Sequence, residues 1–253
     1  MLEEVSRIVR EAGRIAQARC GGPFQRWEKA PNHPVCDIDL EVDVFLREHL
    51  SRLDPEAGWL SEETLDASDR IERPRLWVVD PIDGTRDYLR QRPGWAVSVA
   101  LIEERVPVIG VLDAPARQEH WTAEAGGGAW RNGERLRASD RRELKGARVP
   151  AEVLPAEDSD LAAVPKPNSI ALRIALVAAG EADLVATLKW GFEWDIAAAA
   201  LIASEAGAVI SGALGQPLAF NTASGEAFGV LAAASGIHAA AVERLRERAL
   251  ALV

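Results

Sequence analysis

Leu76-Trp77-Val78-Val79-Asp80-Pro81-Ile82-Asp83-Gly84-Thr85 is an apolar run that breaks, within six residues, into two aspartates, a glycine and a threonine. Leu76 to Val79 is short and half β-branched, which suits a buried strand, and Pro81 cannot donate to a sheet ladder, so the strand is expected to stop there. Asp80 then stands at the strand's mouth. Asp83, Gly84 and Thr85 are turn and cap residues, and a helix is expected next, its free N–H groups facing the same spot as the carboxylates. Carboxylates hold hard divalent cations and a helix N-terminus holds phosphate, so the stretch reads as a strand ending on a metal site. The plain alternative is a strand followed by an Asp-Gly turn. Two further acidic motifs shift the balance toward the metal site.

Upstream, Trp59-Leu60-Ser61-Glu62-Glu63-Thr64 follows a short apolar stretch, close enough in the chain to fold back beside Asp80. Downstream, Trp194-Asp195 opens an alanine-rich helix that ends at Gly207, with a simple N-cap as the alternative role for Asp195. Around these motifs the chain alternates helices and strands. Leu2 to Arg19 has the apolar spacing of one helical face. Phe24 to Lys29 reads as a strand before a Pro31 to Pro34 loop. A second helix opens at Cys36-Asp37-Ile38-Asp39, with Leu40, Val44, Phe45, Leu50 and Leu53 expected inward and Asp37, Glu41 and Asp43 complementing the helix dipole. Trp95 to Ile102, Val106 to Leu112 and Gln118 to Ala123 read as strands of an antiparallel meander, with Asn132-Gly133 as a further hairpin signal. Gly126-Gly127-Gly128 lacks the Lys-Ser/Thr of a phosphate loop and is read as close backbone packing. Arg141 to Pro167 is proline-rich and uninformative beyond one strand near Val149. Ser169 caps a helix that Gly180 closes, and Asp183 to Leu188 is a strand.

At 253 residues the chain can bury a large core. We expect a single unit over 1–253 in two approximate halves, a metal-site half over 1–140 and an α/β half over 141–253. The formal charge of −10 is scattered, which argues against a nucleic-acid polymer as partner. Two cysteines without C-x-x-C spacing and four dispersed histidines argue against zinc and disulfides. No apolar run approaches the roughly 18 residues of a membrane span. The expectation is a soluble, cytoplasmic protein without a membrane partner.

Glu62-Glu63, Asp80-Pro81-Ile82-Asp83-Gly84-Thr85 and Trp194-Asp195, in that order, resemble the motifs of the inositol monophosphatase superfamily. Val35 to Asp43 is similar to that family's early V-T-x-A-D-x-x-V-D segment, and Ser169 to Asp183 resembles the helix before its W-D. The likeness extends over nearly the whole chain. It implies a layered α/β/α/β/α phosphatase fold with a mainly antiparallel central sheet and a second, smaller sheet. It also implies lithium-sensitive, Mg²⁺-dependent hydrolysis of small phosphate monoesters by a homodimer. By the resemblance, Glu62, Asp80 and the Ile82 carbonyl hold one Mg²⁺, and Asp80, Asp83 and Asp195 a second. A weaker third ion would lie near Glu62 and Asp39. Gly84 and Thr85 N–H groups bind phosphate, with Asp83, Asp195 and Ser169 lining the substrate site, and the Thr85 hydroxyl with Glu62 activates the attacking water. The chain departs from the family pattern at Cys36, Ile38 and Asn168.

Phosphate monoesters need accelerations of up to about 10²¹-fold, whereas side-chain acid–base catalysis contributes about 10²- to 10⁴-fold. That gap favours metal ions over a cysteine or histidine nucleophile. An aspartyl-phosphate on Asp80 or Asp83 is the rival route, but a carboxylate that bridges metals is a poor nucleophile. A binding protein that does not turn over is the rival class, and it would have no use for Glu62 and Thr85. For substrate, the region Thr187 to Phe192 before Trp194 offers Trp190 and Phe192 as flat faces and holds no acid, only Glu193 following it, while Lys166, Lys189 and Arg86 are the candidate cations. We therefore favour 3′-phosphoadenosine 5′-phosphate, as for a 3′(2′),5′-bisphosphate nucleotidase, ahead of inositol monophosphate.

Overall fold

The computed structural model describes residues 1–30 and 33–253, with side chains described outside 28–34. In chain order the elements are α1 (Leu2–Arg19), β1 (Arg26–Ala30), β2 (His33–Cys36), α2 (Asp37–Leu53), β3 (Gly58–Ser61), β4 (Arg75–Asp83), α3 (Thr85–Leu89), β5 (Ala96–Glu103) and β6 (Val106–Ala114). Then follow β7 (Glu119–Glu124), β8 (Gly128–Arg131), β9 (Glu134–Arg135), β10 (Arg148–Pro150), β11 (Ala162–Val164), α4 (Ile170–Ala178), β12 (Leu184–Phe192), α5 (Glu193–Glu205), β13 (Ala208–Ser211), β14 (Glu226–Ala234) and α6 (His238–Leu250). Of the expected Pro31 to Pro34 loop, Pro31 and Asn32 lie outside the described residues, while His33 and Pro34 begin β2.

Period-two alternation along the strands sorts the chain into layers. The large sheet runs β3-β4-β5-β6-β7-β8-β9, parallel at β3–β4 and antiparallel elsewhere. Trp77, Val79, Val97, Val99 and Val111 on one face pack with Val5, Val9, Ile38 and Leu46 of α1 and α2. Leu76, Val78, Ala100 and Leu112 on the other pack with α4 and α5. Beyond α5 lies the small sheet β12-β14-β13, whose Val230 and Ala232 join the same core, while Leu231 and Ala233 face α6. The order of layers is therefore α1 and α2, large sheet, α4 and α5, small sheet, α6.

The alanine run of α5 follows from its place between two sheets. Ile196 to Ala203 are all buried, and the β6 backbone comes so near that a Cβ on Gly110 would meet the Ala198 carbonyl at 2.6 Å. Larger residues would hold the sheet away. In this way α5 carries its N-terminus, and with it Asp195, to the end of β4.

Three local expectations are corrected. β4 does not stop at Pro81 but runs to Asp83, because a one-residue bulge between the Asp80↔Ser98 and Asp83↔Ala96 pairs absorbs the missing donor. The inward face of α2 is Ile38, Val42, Leu46 and Leu50 at four-residue spacing, which turns Leu40 and Val44 outward to 38% and 65% exposure. The triple-glycine turn is not closely packed at Gly126. Instead the Gly126 and Gly128 N–H groups each donate to the Glu205 carboxylate at 2.8 Å. Among the described residues, no helix is long and apolar enough to cross a membrane.

Candidate active site

Residues three apart on a regular strand point to opposite faces, yet Asp80 and Asp83 line one cavity. The bulge at Pro81-Ile82 accounts for this, since one extra residue restores the common side. The parallel pairing of β3 with β4 ends at Ser61↔Val79, and the Glu62 N–H donates to the Val79 carbonyl at 3.3 Å, which sets Glu62 beside Asp80. Gly84 has φ +95°, and a Cβ there would meet the Gly94 carbonyl at 2.7 Å and the Ser169 nitrogen at 2.8 Å. Only glycine fits this turn. Thr85 opens the five-residue α3, and its hydroxyl donates to the Ile82 carbonyl at 3.0 Å.

Glu62, Asp80, Ile82, Asp83, Gly84, Thr85 and Asp195 all line this cavity of about 260 Å³. Asp195 is not the N-cap of α5. It stands in the third helical position, its Oδ2 accepting the Phe192 N–H at 3.4 Å. Two other expected residues lie off the wall. Ser169 is fully buried and its hydroxyl donates to Asp83 Oδ2, which also accepts the Ala171 N–H at 2.8 Å, so Ser169 orients Asp83. Asp39, 1% exposed, accepts the Cys36 N–H at 2.8 Å and its thiol at 2.9 Å on Oδ2, closing a capping box at the start of α2. It acts on the cavity at a distance, by raising the pKa of Asp80.

The electrostatics of the cluster are those of an incomplete site. Asp80 is pushed well above the usual carboxylate range by burial and by the charges of Glu62, Asp83, Asp195 and Asp39. Asp195 is raised likewise by burial, Asp83 and Glu62. For Asp83 burial again dominates, opposed by its bonds to Ser169, Ala171 and Ile170 and by the Arg173 charge. Among the described residues, no group of three or more His, Cys, Asp or Glu side chains already stands in metal-holding geometry. The donor chemistry nonetheless fits a hard divalent cation, which prefers carboxylate and carbonyl oxygens and would reverse the repulsion within the set. Asp80 spends Oδ1 on the Ile82 N–H at 3.0 Å and Asp195 spends Oδ2 on Phe192, so each retains a second oxygen for an ion.

The rest of the wall holds residues that sequence reasoning missed. Arg173 is the lone charge in the apolar run of α4, a signal that was available. It donates to the Pro167 and Asn168 carbonyls, and burial lowers its pKa while Asp83 and Asp87 oppose that shift. Gly229, a glycine inside a strand, has φ +64° and lies where a Cβ would meet the Thr187 carbonyl at 2.5 Å. Of the expected substrate contacts, Arg86, Lys189, Trp190 and Phe192 line the cavity. Trp190 is 55% exposed and edge-on to Phe228, whereas Phe192 is stacked on Trp194 with centroids 4.3 Å apart. Lys166 lines a different cleft, beside Asp87 and Arg92.

Behind the wall, Glu193 is fully buried and accepts from the Asn221 N–H at 2.7 Å and the Thr222 N–H at 2.9 Å. Arg70, 1% exposed, reaches the same loop through Asn221 Oδ1 and the Thr222 carbonyl, and pairs with Asp66 just after the Glu62-Glu63 segment. One buried network thus ties the Glu62 loop to the first turn of α5. The expected acid of the substrate wall is part of that network and not of the wall.

Comparison with known proteins agrees with this construction. Residues 1–252 match the model of the inositol monophosphatase family. The Nus factor SuhB of Xylella fastidiosa is 35% identical over 190 residues, 69% of this chain and 67% of its own length. The 3′(2′),5′-bisphosphate nucleotidase CysQ of Escherichia coli is 31% identical over 231 residues, 86% of this chain and 93% of its own. Among solved structures, a Thermotoga maritima IMPase superposes with a TM-score of 0.83 at 26% identity, over 97% of this chain and 96% of that one.

Proposed function

The chain belongs to the inositol monophosphatase family and is a phosphatase of phosphate monoesters, and we propose that the cavity between β4 and α5 is its Mg²⁺-dependent, lithium-sensitive active site. The observation that carries this reading is the convergence of Glu62, Asp80, Asp83 and Asp195 on one cavity, with Asp80 and Asp195 raised by burial and by the neighbouring carboxylates. Glu62, Asp80 and the Ile82 carbonyl would hold one ion and Asp80, Asp83 and Asp195 another; bound there, Mg²⁺ supplies charge stabilisation to the phosphoryl oxygens and a lowered pKa for water.

The chain's own groups do the rest. The Gly84 and Thr85 N–H groups, at the turn that only glycine permits, point the first turn of α3 at the phosphate. The Thr85 hydroxyl donates to the Ile82 carbonyl, its oxygen remains an acceptor for the attacking water, and Glu62 on the same cavity wall would take the water's proton. Ser169 and the Ala171 N–H hold Asp83 in one rotamer, and the Glu193–Asn221–Arg70 network holds Asp195 and Glu62 in register.

For substrate we favour a nucleoside bisphosphate such as 3′-phosphoadenosine 5′-phosphate. Trp190 offers a half-exposed flat face at the cavity, with Lys189 and Arg86 as cations for a second phosphate. The deciding experiment is kcat/KM for 3′-phosphoadenosine 5′-phosphate and inositol 1-phosphate, measured side by side at fixed Mg²⁺. A preference of tenfold or more for the inositol ester would overturn the substrate reading. Equal activity with and without Mg²⁺ after chelator treatment would overturn the metal reading.

A further inference from the structure

On the far side of the large sheet, the register of β6 with β7 sets Asp113 directly opposite His120. Asp113 Oδ1 lies 2.8 Å from His120 Nδ1, and His120 Nε2 lies 2.7 Å from the hydroxyl of Ser6 on α1. Asp113 and His120 are 5% and 7% exposed, while Ser6 is half-buried, so the acid and base are the more sheltered members. A carboxylate only accepts, so Nδ1 carries the proton and Nε2 is left to accept from the serine. Two features hold the arrangement. Gly13 leaves the space into which Asp113 projects, since a Cβ there would lie 1.9 Å from Asp113 Oδ2. Asn132 Oδ1 accepts the His120 N–H at 2.9 Å, fixing the strand end. Asp113 and His120 open onto a cavity of about 400 Å³ that shares no lining residue with the phosphatase pocket. Arg10 and Arg14, one and two turns beyond Ser6 on the same helical face, line it too.

We propose that Ser6, His120 and Asp113 form a second hydrolytic centre, a serine-dependent site for small carboxylic esters that carry a negative charge. The order nucleophile, base, orienting acid is that of serine hydrolases, recognised by geometry and not by position in the chain. Ser6 Oγ bonds to the acyl carbon as its proton passes to His120 Nε2. The ester C–O bond then breaks, and the alcohol leaves with that proton. Water attacks the acyl-Ser6 ester, gives its proton to Nε2, and the carboxylic acid departs as Ser6 recovers its hydrogen. Asp113 Oδ1 keeps its hydrogen bond to Nδ1 throughout and so holds the ring in place. Arg10 and Arg14 supply the attraction for an anionic ester. N–H groups inside a helix are bonded one turn back, so the charge on the tetrahedral oxygen falls to Arg10 and not to a backbone oxyanion hole, which predicts slow turnover.

The test is covalent labelling of the native full-length protein with a fluorophosphonate reporter probe, the adduct being mapped by peptide mass spectrometry. We expect the label on Ser6, absent in Ser6→Ala and at least tenfold slower to form in His120→Gln. We also expect faster hydrolysis of p-nitrophenyl hemiglutarate than of p-nitrophenyl butyrate, the difference shrinking severalfold in Arg10→Gln. Mg²⁺-dependent phosphatase activity should be unchanged in Ser6→Ala, which reports that the variant is folded and separates this site from the phosphatase pocket. Absence of label on Ser6 of the native protein, or equal labelling in His120→Gln, overturns the proposal, whether or not Ser6→Ala folds.

Discussion

Asp80 and Asp183 are equally closed to solvent, at 2% and 1% exposure, but Asp80 lies deeper among protein atoms, and their acidities move in opposite directions. Asp183, five residues past the end of α4, accepts from the Ser139 hydroxyl and from the backbone and guanidinium of Arg148. Burial would raise its pKa, but those bonds and the Arg148 charge outweigh it and bring it down to about 2. Asp80 is raised first by its burial and then by the charges of Glu62, Asp83 and Asp195. Closure to solvent alone therefore does not set the direction of the shift. The two acids differ also in whether the chain itself supplies the counter-charge. At Asp183 the chain supplies the counter-charge; around Asp80 the neighbouring charges are carboxylates.

The sharpest way to break this comparison is to neutralise each acid. Asp80→Asn should lower kcat on the order of 10²-fold or more at ordinary Mg²⁺, while the melting temperature holds or rises, because one charge leaves a crowded set. Asp183→Asn should do the reverse, leaving turnover near normal and costing about 2 kcal/mol of stability, since Arg148 is partly solvated. Thermal melts and initial rates on both variants check this. Equal destabilisation by the two substitutions would end the contrast.

Adding the missing counter-charge tests the same idea from the other side. Mg²⁺ at about 100 times its Kd should stabilise the native protein by about 2.7 kcal/mol, read as a rise in melting temperature, and the rise should shrink in Asp80→Asn. An identical rise in both proteins would mean that the ion binds elsewhere.

The pH dependence has opposite signs at the two places. The folded pKa values of Asp80 and Asp195 are raised, so their contribution is fully present below the ordinary value of 3.8 and is lost as pH rises through the folded values. That of Asp183 is present above 3.8 and is lost as pH falls toward about 2. In chelator, urea melts between pH 8 and 5 should show the native protein gaining stability relative to Asp80→Asn as pH falls. A relative loss would contradict the assigned repulsion.

The smallest effect expected is at the rim, where no buried charge is involved. Trp190→Ala should raise KM for 3′-phosphoadenosine 5′-phosphate about tenfold through lost base stacking of roughly 1–3 kcal/mol, with kcat within about twofold. The same substitution should leave KM for inositol 1-phosphate nearly unchanged, and parallel Michaelis curves for both esters decide it.

By itself the sequence determined what depends on neighbours along the chain. The apolar spacing of α1, the β-branched run of β4 and the Ser169 cap, whose Oγ accepts the Leu172 N–H at 2.9 Å, all reflect contacts within a few residues. The ordered acidic motifs likewise pointed to the family and its layered fold. Even within short range, the inward face of α2 was misjudged, because Leu40 and Val44 are as apolar as Ile38 and Val42 and only the packed sheet chooses between them. What tertiary structure decided was every pairing across long separations. The bulge turns Asp80 and Asp83 to one side because β5 sets the register, and Glu193 belongs to the Asn221 loop and not to the substrate wall. Arg173 joins the cavity because α4 packs beside α3's turn. Ser6 meets His120 across 114 residues, a contact without local periodicity to announce it. Such contacts cost chain entropy that only the collective burial of the core repays, so no single stretch of the sequence encodes them.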